Sequence, residues 1–178
     1  DLGEGAGGRG RVVTMTNELL KPEDRAAWRA WLAENHAASA GVWVAIAKKG
    51  TAGLAYVDAV EEALCFGWID GKARSLDERH YQQWLSPRRP GSAWARSNKE
   101  RVARLEAAGL MAPAGLAVVA AAKADGSWEA YDAIDALEMP ADLEAALRAE
   151  PAAWENYQAF PPSAQRAVLF RVADAKRP

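Results

Sequence analysis

Six basic side chains crowd one short stretch: Arg88, Arg89, Arg96, Lys99, Arg101 and Arg104. The planar fork of arginine makes bidentate contacts to carboxylate or phosphate, and a helix start near Ser92, the expected N-cap, would add backbone N–H donors. Together they suit an anion, although the same charges can simply answer the acidic remainder of the chain, Glu100 included. Trp94 and Asn98 sit one helical turn apart on the same face. Trp94 reads as core, whereas a buried Asn98 needs hydrogen-bond partners, so it either pins the PRRPGS loop or contributes to a pocket. Loop pinning is the favoured reading.

Asp70 lies between Ile69 and Gly71 at the end of an expected strand. A carboxylate there could bind a cation, pair with an arginine or act as a base. A base needs a raised pKa, and a neighbouring arginine lowers it, so an ion pair with Arg88, Arg74 or Lys72 is favoured. Cys65 with His80 could in principle supply nucleophile and base. Cys65 stands between Leu64 and Phe66 at the apolar end of a helix, however, and free cysteines are among the most buried residues, so it reads as core. Glu61 and Glu62 are adjacent, diverge by about 100° on a helix, and read as solvated. His36, Cys65 and His80 have no zinc spacing, and neither a metal nor a cofactor is expected.

These residues need a scaffold. With 178 residues, half of them apolar, the chain can bury a sizeable core. Eight tryptophans are unusual; each reads first as core and second as a recognition surface. A single cysteine excludes an intrachain disulfide and fits a reducing, cytoplasmic setting. No apolar run is long enough to span a bilayer. The net charge of −2 hides an asymmetry: Lys72 to Arg104 carries +6 and the remainder −8. The glycine-rich start lacks the apolar centre of a signal peptide and the Walker ending of a phosphate loop. Met15 looks like the natural start, which leaves residues 1–14 as a disordered or vector-derived leader.

Pro22, Glu23 and Asp24 predict a helix start, with the helix running over 22–38. GVWVAIA predicts a strand with Val42, Val44 and Ile46 on one face and Trp43 on the other. A second helix is expected over 56–65, and FGWID, KARSL and RHYQQWL predict extended structure and an antiparallel hairpin. Trp94, Asn98, Val102 and Leu105 mark the buried stripe of a third helix. Pro113 opens a fourth, with Leu116, Val119 and Ala120 inward, and Asp125-Gly126 stops it. The expected fold is α+β: a small antiparallel sheet of about three strands flanked by helices in a core domain over 15–126. A connector over 127–139 and a C-terminal helical module over 140–178, packed on the core, complete it.

ALCFGWIDG, then SLD, then SPRRPGSAWARSNKERV, then GLM resemble the YdeI/OmpD-associated, or bacteriocin-protection, family. The resemblance runs from about Pro22 onward, with the helical tail similar to that family's C-terminal module; Ala95 and Arg96 depart from its usual pattern. It implies a part in stress or antimicrobial resistance and an association with an outer-membrane porin. It supplies no catalytic residues.

Three functions are open to these residues. The favoured one is a non-enzymatic binding protein with a basic, Trp-lined cleft for an anionic ligand or a protein partner. Trp68, Asp70, Arg74, Arg88, Arg89, Trp94, Asn98 and Arg101 would line that cleft, and no nucleophile, base and orienting group converge in the sequence. The second is nucleic-acid binding through a basic hairpin, Lys72, Arg74 and Arg79, beside the basic helix. The third is an enzyme built around Asp70, Arg88 and Asn98.

Overall fold

The structure, a computed structural model, describes residues 19–175; the expected leader lies outside them. In chain order the elements are β1 (Leu19–Leu20), α1 (Arg25–Asn35), β2 (Val42–Ala47), α2 (Tyr56–Cys65), β3 (Trp68–Ser75), β4 (His80–Pro87), α3 (Arg96–Ala107) and α4 (Pro113–Asp125). Then follow α5 (Asp132–Asp135), α6 (Ala141–Ala149), α7 (Pro151–Ala159) and α8 (Pro162–Ala175). The fold is α+β, as expected. The sheet order is β1-β2-β4-β3, with β4 antiparallel to both β2 and β3. A fourth strand, β1, runs parallel to β2 over two residues, too short to show alternation in sequence.

The alternation in β2 sorts the sheet into two faces. Val42, Val44 and Ile46 oppose Leu85, Gln83 and Tyr81 and join Trp28, Leu32, Leu64 and Trp68 in the core beneath the helices. On the other face Trp43 meets Trp84 edge to face, centroids 5.4 Å apart. A register shift between Asp70 and Ala73 interrupts the hairpin. Gln83, buried, answers it by donating from Nε2 to the Gly71 carbonyl at 2.7 Å.

α1 starts later than the proline suggested, because the Asp24 carboxylate caps it, accepting from Ala27 N at 2.8 Å. α2 has the expected bounds and is the most enclosed helix, with Ala59, Val60, Glu62, Ala63, Leu64 and Cys65 all buried. Its final carbonyls are answered by the chain around it: Gly67 N donates to Leu64 O at 3.0 Å and Ala112 N to Cys65 O at 3.0 Å. Gly67 makes that turn at φ +75°. α4 presses so close that a Cβ on Gly115 would stand 2.3 Å from the Cys65 carbonyl oxygen.

Glu62 overturns the expectation of a solvated acid pair. Its side chain is 3% exposed, and its two oxygens accept from Arg25 Nε and Arg29 Nη1, each at 2.6 Å. Arg25 also holds Asp58 and Glu61, while Glu61 accepts from Arg104 at 3.1 Å. Because Arg29 reaches on to the Leu110 carbonyl at 2.8 Å, one carboxylate ties α1 to α2 and to the turn after α3. The acids face inward because α1 packs its arginines over them.

Two further expectations need correction. Ser92 is not the N-cap of α3; its Oγ donates to Arg89 O at 2.7 Å and closes a turn, while Ala95 begins the helix without a side-chain cap. On α4, Leu116 and Ala120 face outward, and Gly115, Val119 and Ala122 are the buried set, because the approach to α2 at Gly115 fixes the helix's rotation. The three C-terminal helices are present as expected. They are thinly buried: none of α6 is buried, and Tyr157 and Leu169 are the buried residues of α7 and α8.

Gly115→Ala drives a methyl group into backbone, which cannot rotate away, and is expected to cost about 2–3 kcal/mol in urea denaturation; a cost below about 1 kcal/mol would show that α4 slides freely. Glu62→Ala removes the shared acceptor of two half-buried arginines and is expected to cost about 2 kcal/mol. Glu62→Gln should fall between that variant and the unmodified chain in the same measurement.

Candidate functional site

The end of α2 sets the position of Arg88. Gly67, having turned the chain, offers its carbonyl to Arg88 N at 3.0 Å, so the residue leaves β4 directly beneath the PRRPGS loop. The guanidinium carbon lies over the Trp94 ring, 3.9 Å from its centroid, and Nη2 donates to the carbonyls of Ser92 and Ala93. Arg88 is only 7% exposed, and its Nε and Nη1 are buried without a hydrogen-bond partner. Burial pulls its pKa down to about 10, opposed by Tyr131 and by the Asp70 carboxylate. It remains a cation at neutral pH, with two donors unanswered.

A cavity of about 80 Å³ opens there, walled by Arg88, Arg89, Gly91, Trp94, Asp125 and Ser127. Since a water molecule takes about 30 Å³ in the liquid, it holds one small polyatomic group. Ser127 is buried. Its N–H donates to Asp125 Oδ1 at 2.9 Å, and its hydroxyl and N–H hold the Asp125 carboxyl below the usual range. The hydroxyl nevertheless makes no hydrogen bond of its own; it stands near that carboxylate outside bonding geometry. Arg89 is exposed at the rim.

Beside this cavity is a second cluster. Asp70, in register with Leu85 on the helix-covered face, accepts from the Tyr56 hydroxyl at 2.8 Å. It forms no ion pair with Arg88, Arg74 or Lys72 among the described residues, contrary to expectation, because Tyr56 at the start of α2 reaches it first. Asn98, buried, accepts at Oδ1 from Arg101 Nη1 at 2.9 Å. It therefore orients Arg101 and does not pin the loop, which Arg88 and Ser92 hold instead. Burial first, then the hydrogen bond and charge of Asp70, push the Tyr56 phenol up to about 12 against the pull of Arg101.

The other candidates are dispersed. Trp68 is core, its Nε1 donating to His36 O at 3.2 Å. Arg74 lies on the opposite sheet face, 3.8 Å over Trp43. Arg96 pairs with Glu100, Arg104 with Glu61 and Lys99 with Asp132. Cys65 is fully buried and burial pushes its thiol up, in line with a core role. Tyr56, Ser127 and Tyr131 were not signalled by the sequence, because each is brought in from a remote element.

A larger cavity, about 360 Å³, is lined by residues that include Lys21, Glu23, Leu54, Asp77 and His80. Its Asp77 is engaged locally, Oδ1 accepting from Arg79 N, His80 N and the His80 ring, and Lys21 and Glu23 are exposed at its edge. The smaller cavity has the unanswered donors and is the better candidate.

A helix-covered mixed sheet with a buried arginine beside a small cavity defines a small α+β domain. The chain belongs to the family of the domain of unknown function DUF8412, whose model matches residues 20–118, more than half of its length. Residues 136–178 match a second model, described as bacteriocin-protection, YdeI or OmpD-associated. That match falls on the helical tail, whereas the motifs from Ala63 to Met111 lie within the first. No curated protein and no solved structure matches the chain.

Absorbance titration of the phenols should show one tyrosine ionising near pH 12 that is lost in Tyr56→Phe and shifted downward in Asp70→Asn; an ordinary value for Tyr56 would show that the contact with Asp70 does not persist. The folded chain holds this proton where the unfolded chain, with a phenol at about 10, has released it, so stability should fall as pH rises from about 10 to about 12.

Proposed function

We propose that the protein is a non-enzymatic binding protein whose ligand presents a compact oxoanion, of the carboxylate or phosphate type, to Arg88. The carrying observation is the buried guanidinium whose Nε and Nη1 have no partner. A buried donor left unmade is costly, and charge-assisted, bidentate contacts to an oxoanion are among the strongest hydrogen bonds available to it. Loop pinning engages Nη2 alone and leaves the other two donors unexplained. The Ser127 hydroxyl supplies a further neutral donor in the same cavity, and Arg89 at its rim attracts anions from solvent.

The dispersal of the basic band weakens the nucleic-acid reading, which needs cations along one continuous surface. Arg74 lies across the sheet from Arg88, and Arg96, Lys99 and Arg104 are paired with acids. An enzyme around Asp70, Arg88 and Asn98 would need a base there, and Asp70 is engaged with a phenol that keeps its proton. Cytoplasmic anion sensing would give such a protein a place in stress resistance or in bacteriocin protection, the latter being named by the family model that matches its tail.

A thermal-shift screen against phosphate, sulfate, short polyphosphates, nucleotides and organic acids tests the proposal. A ligand at a hundredfold excess over its Kd stabilises by about 2.7 kcal/mol. The shift should disappear in Arg88→Met and weaken in Arg89→Met. Without ligand, Arg88→Met should cost no more than about 1–2 kcal/mol, because the lost bonds to the Ser92 and Ala93 carbonyls are partly offset by removing a poorly satisfied buried charge. No shift with any of these anions, together with a strongly destabilised Arg88→Met, would make Arg88 a packing element and end the proposal.

A further inference from the structure

The Arg88 cavity is lined by charges of both signs. Asp125, the last residue of α4, shares its wall with Arg88, yet it forms no ion pair with that or any other side chain among the described residues. Its carboxylate is held in place: Oδ1 accepts from Ser127 N at 2.9 Å. The Ser127 hydroxyl and N–H, with the Gly91 N–H, hold its pKa below the usual range, so it is ionised at neutral pH. Arg89, at the rim, is exposed and its side chain makes no hydrogen bond or ion pair among the described residues, so it can turn to solvent. The fixed charges of the cavity are therefore one cation and one carboxylate that do not meet.

That arrangement discriminates among oxoanions. A phosphate dianion or a sulfate that answers Nε and Nη1 of Arg88 brings its second charge beside Asp125, and like charges set against one another are strongly disfavoured. A simple carboxylate brings less charge but leaves Asp125 to water. An α-amino acid brings a carboxylate for Arg88 and, on the next carbon, an ammonium for Asp125, so both fixed charges gain a partner. The Ser127 hydroxyl, which can donate and accept, can serve either group. A volume of about 80 Å³ suits such a head group with a short side chain, and the apolar wall of Trp94, Val118 and Ala122 offers no partner to a polar one.

We infer that the ligand of the Arg88 cavity is a small α-amino acid bound as its zwitterion, with its carboxylate on Arg88 and its ammonium on Asp125. The inference rests on the anion-binding reading above and narrows it. Arg88 supplies the attraction for an oxoanion, and Asp125 decides which oxoanion is accepted. A fixed charge that the wrong ligand leaves unanswered or repels is a source of specificity, and it requires no movement of the chain.

Isothermal titration of the full chain at neutral pH with glycine, L-alanine, propionate, ethylamine, inorganic phosphate and sulfate tests the inference. L-Alanine differs from propionate by the ammonium group and from ethylamine by the carboxylate, so each comparison isolates one charge. Glycine or L-alanine should bind roughly tenfold or more tighter than propionate, phosphate or sulfate, and ethylamine should not bind. Asp125→Asn keeps an oxygen to accept from Ser127 N and should reduce L-alanine to the level of propionate, whereas Arg88→Met should abolish binding of both. If Asp125→Asn does not fold, the ratio of L-alanine to propionate on the unmodified chain decides alone. If propionate, phosphate or sulfate binds as tightly as the amino acids, with binding lost in Arg88→Met, the zwitterion is refuted and the anion site stands. The same conclusion follows if folded Asp125→Asn binds L-alanine undiminished. If no compound of the series binds the unmodified chain, or if binding survives Arg88→Met, both the zwitterion and the site reading fall.

Discussion

The whole architecture is constrained by the burial of α2. A ten-residue helix that touches α1, β2, β3, α3 and α4 leaves its first turn in solvent but buries Glu62 and its C-terminal end, so that carboxylate and the last carbonyls must be answered by protein. Arg25 and Arg29 answer Glu62, Gly67 N and Ala112 N answer Leu64 O and Cys65 O, and Gly115 lets α4 approach closely enough for the last of these. The candidate site inherits its geometry from both ends of this helix. At the start, Tyr56 occupies Asp70; just past the end, the Gly67 carbonyl fixes Arg88 N. Asp70 is thereby withheld from the arginine it would otherwise neutralise.

The distribution of charge follows from the same packing. A band of +6 within a chain of −2 invites a picture of one cationic surface, yet the helices divide it. Arg104 is drawn to Glu61, Arg96 to Glu100 one turn along its own helix, and Lys99 to Asp132 across the α3–α5 seam. Exposed pairs of this kind contribute little to stability, but they determine which cations remain free to attract a ligand. Among the described residues Arg88 is the arginine that combines deep burial with unmade hydrogen bonds.

Most of the fold was legible in the sequence, because its signals are local. The alternation in VWVAIA, the bounds of α2 and the turns at Gly109 and Gly126 depend on near neighbours. The errors arise where a remote element decides. Glu62 looks solvated until α1 places two arginines over it, and the rotation of α4 is set by a contact with Cys65 that no periodicity reveals. Ser92 is a plausible cap by composition, but the adjacent arginine draws the Ser92 and Ala93 carbonyls into a loop, and α3 starts afterwards. Of the expected site, Arg88, Arg89 and Trp94 converge on one cavity, whereas strand alternation and core packing send Trp68 and Arg74 elsewhere.

A structural account of Arg88 has to explain more than the loop. Holding Ser92 O and Ala93 O needs donors in one direction, and the stacking on Trp94 needs a flat cation. Neither requires that Nε and Nη1 be enclosed, since a guanidinium at the loop's edge could do both while its remaining donors stayed in water. The added enclosure comes from the second half of α4 and from Ser127, which closes the cavity opposite Trp94. It creates a cavity with a second unanswered hydroxyl beside the cation. The Ser127 hydroxyl can accept as well as donate, yet it and the guanidinium line one cavity and remain unpaired with each other, and an oxoanion that reaches both is the acceptor that accounts for them together.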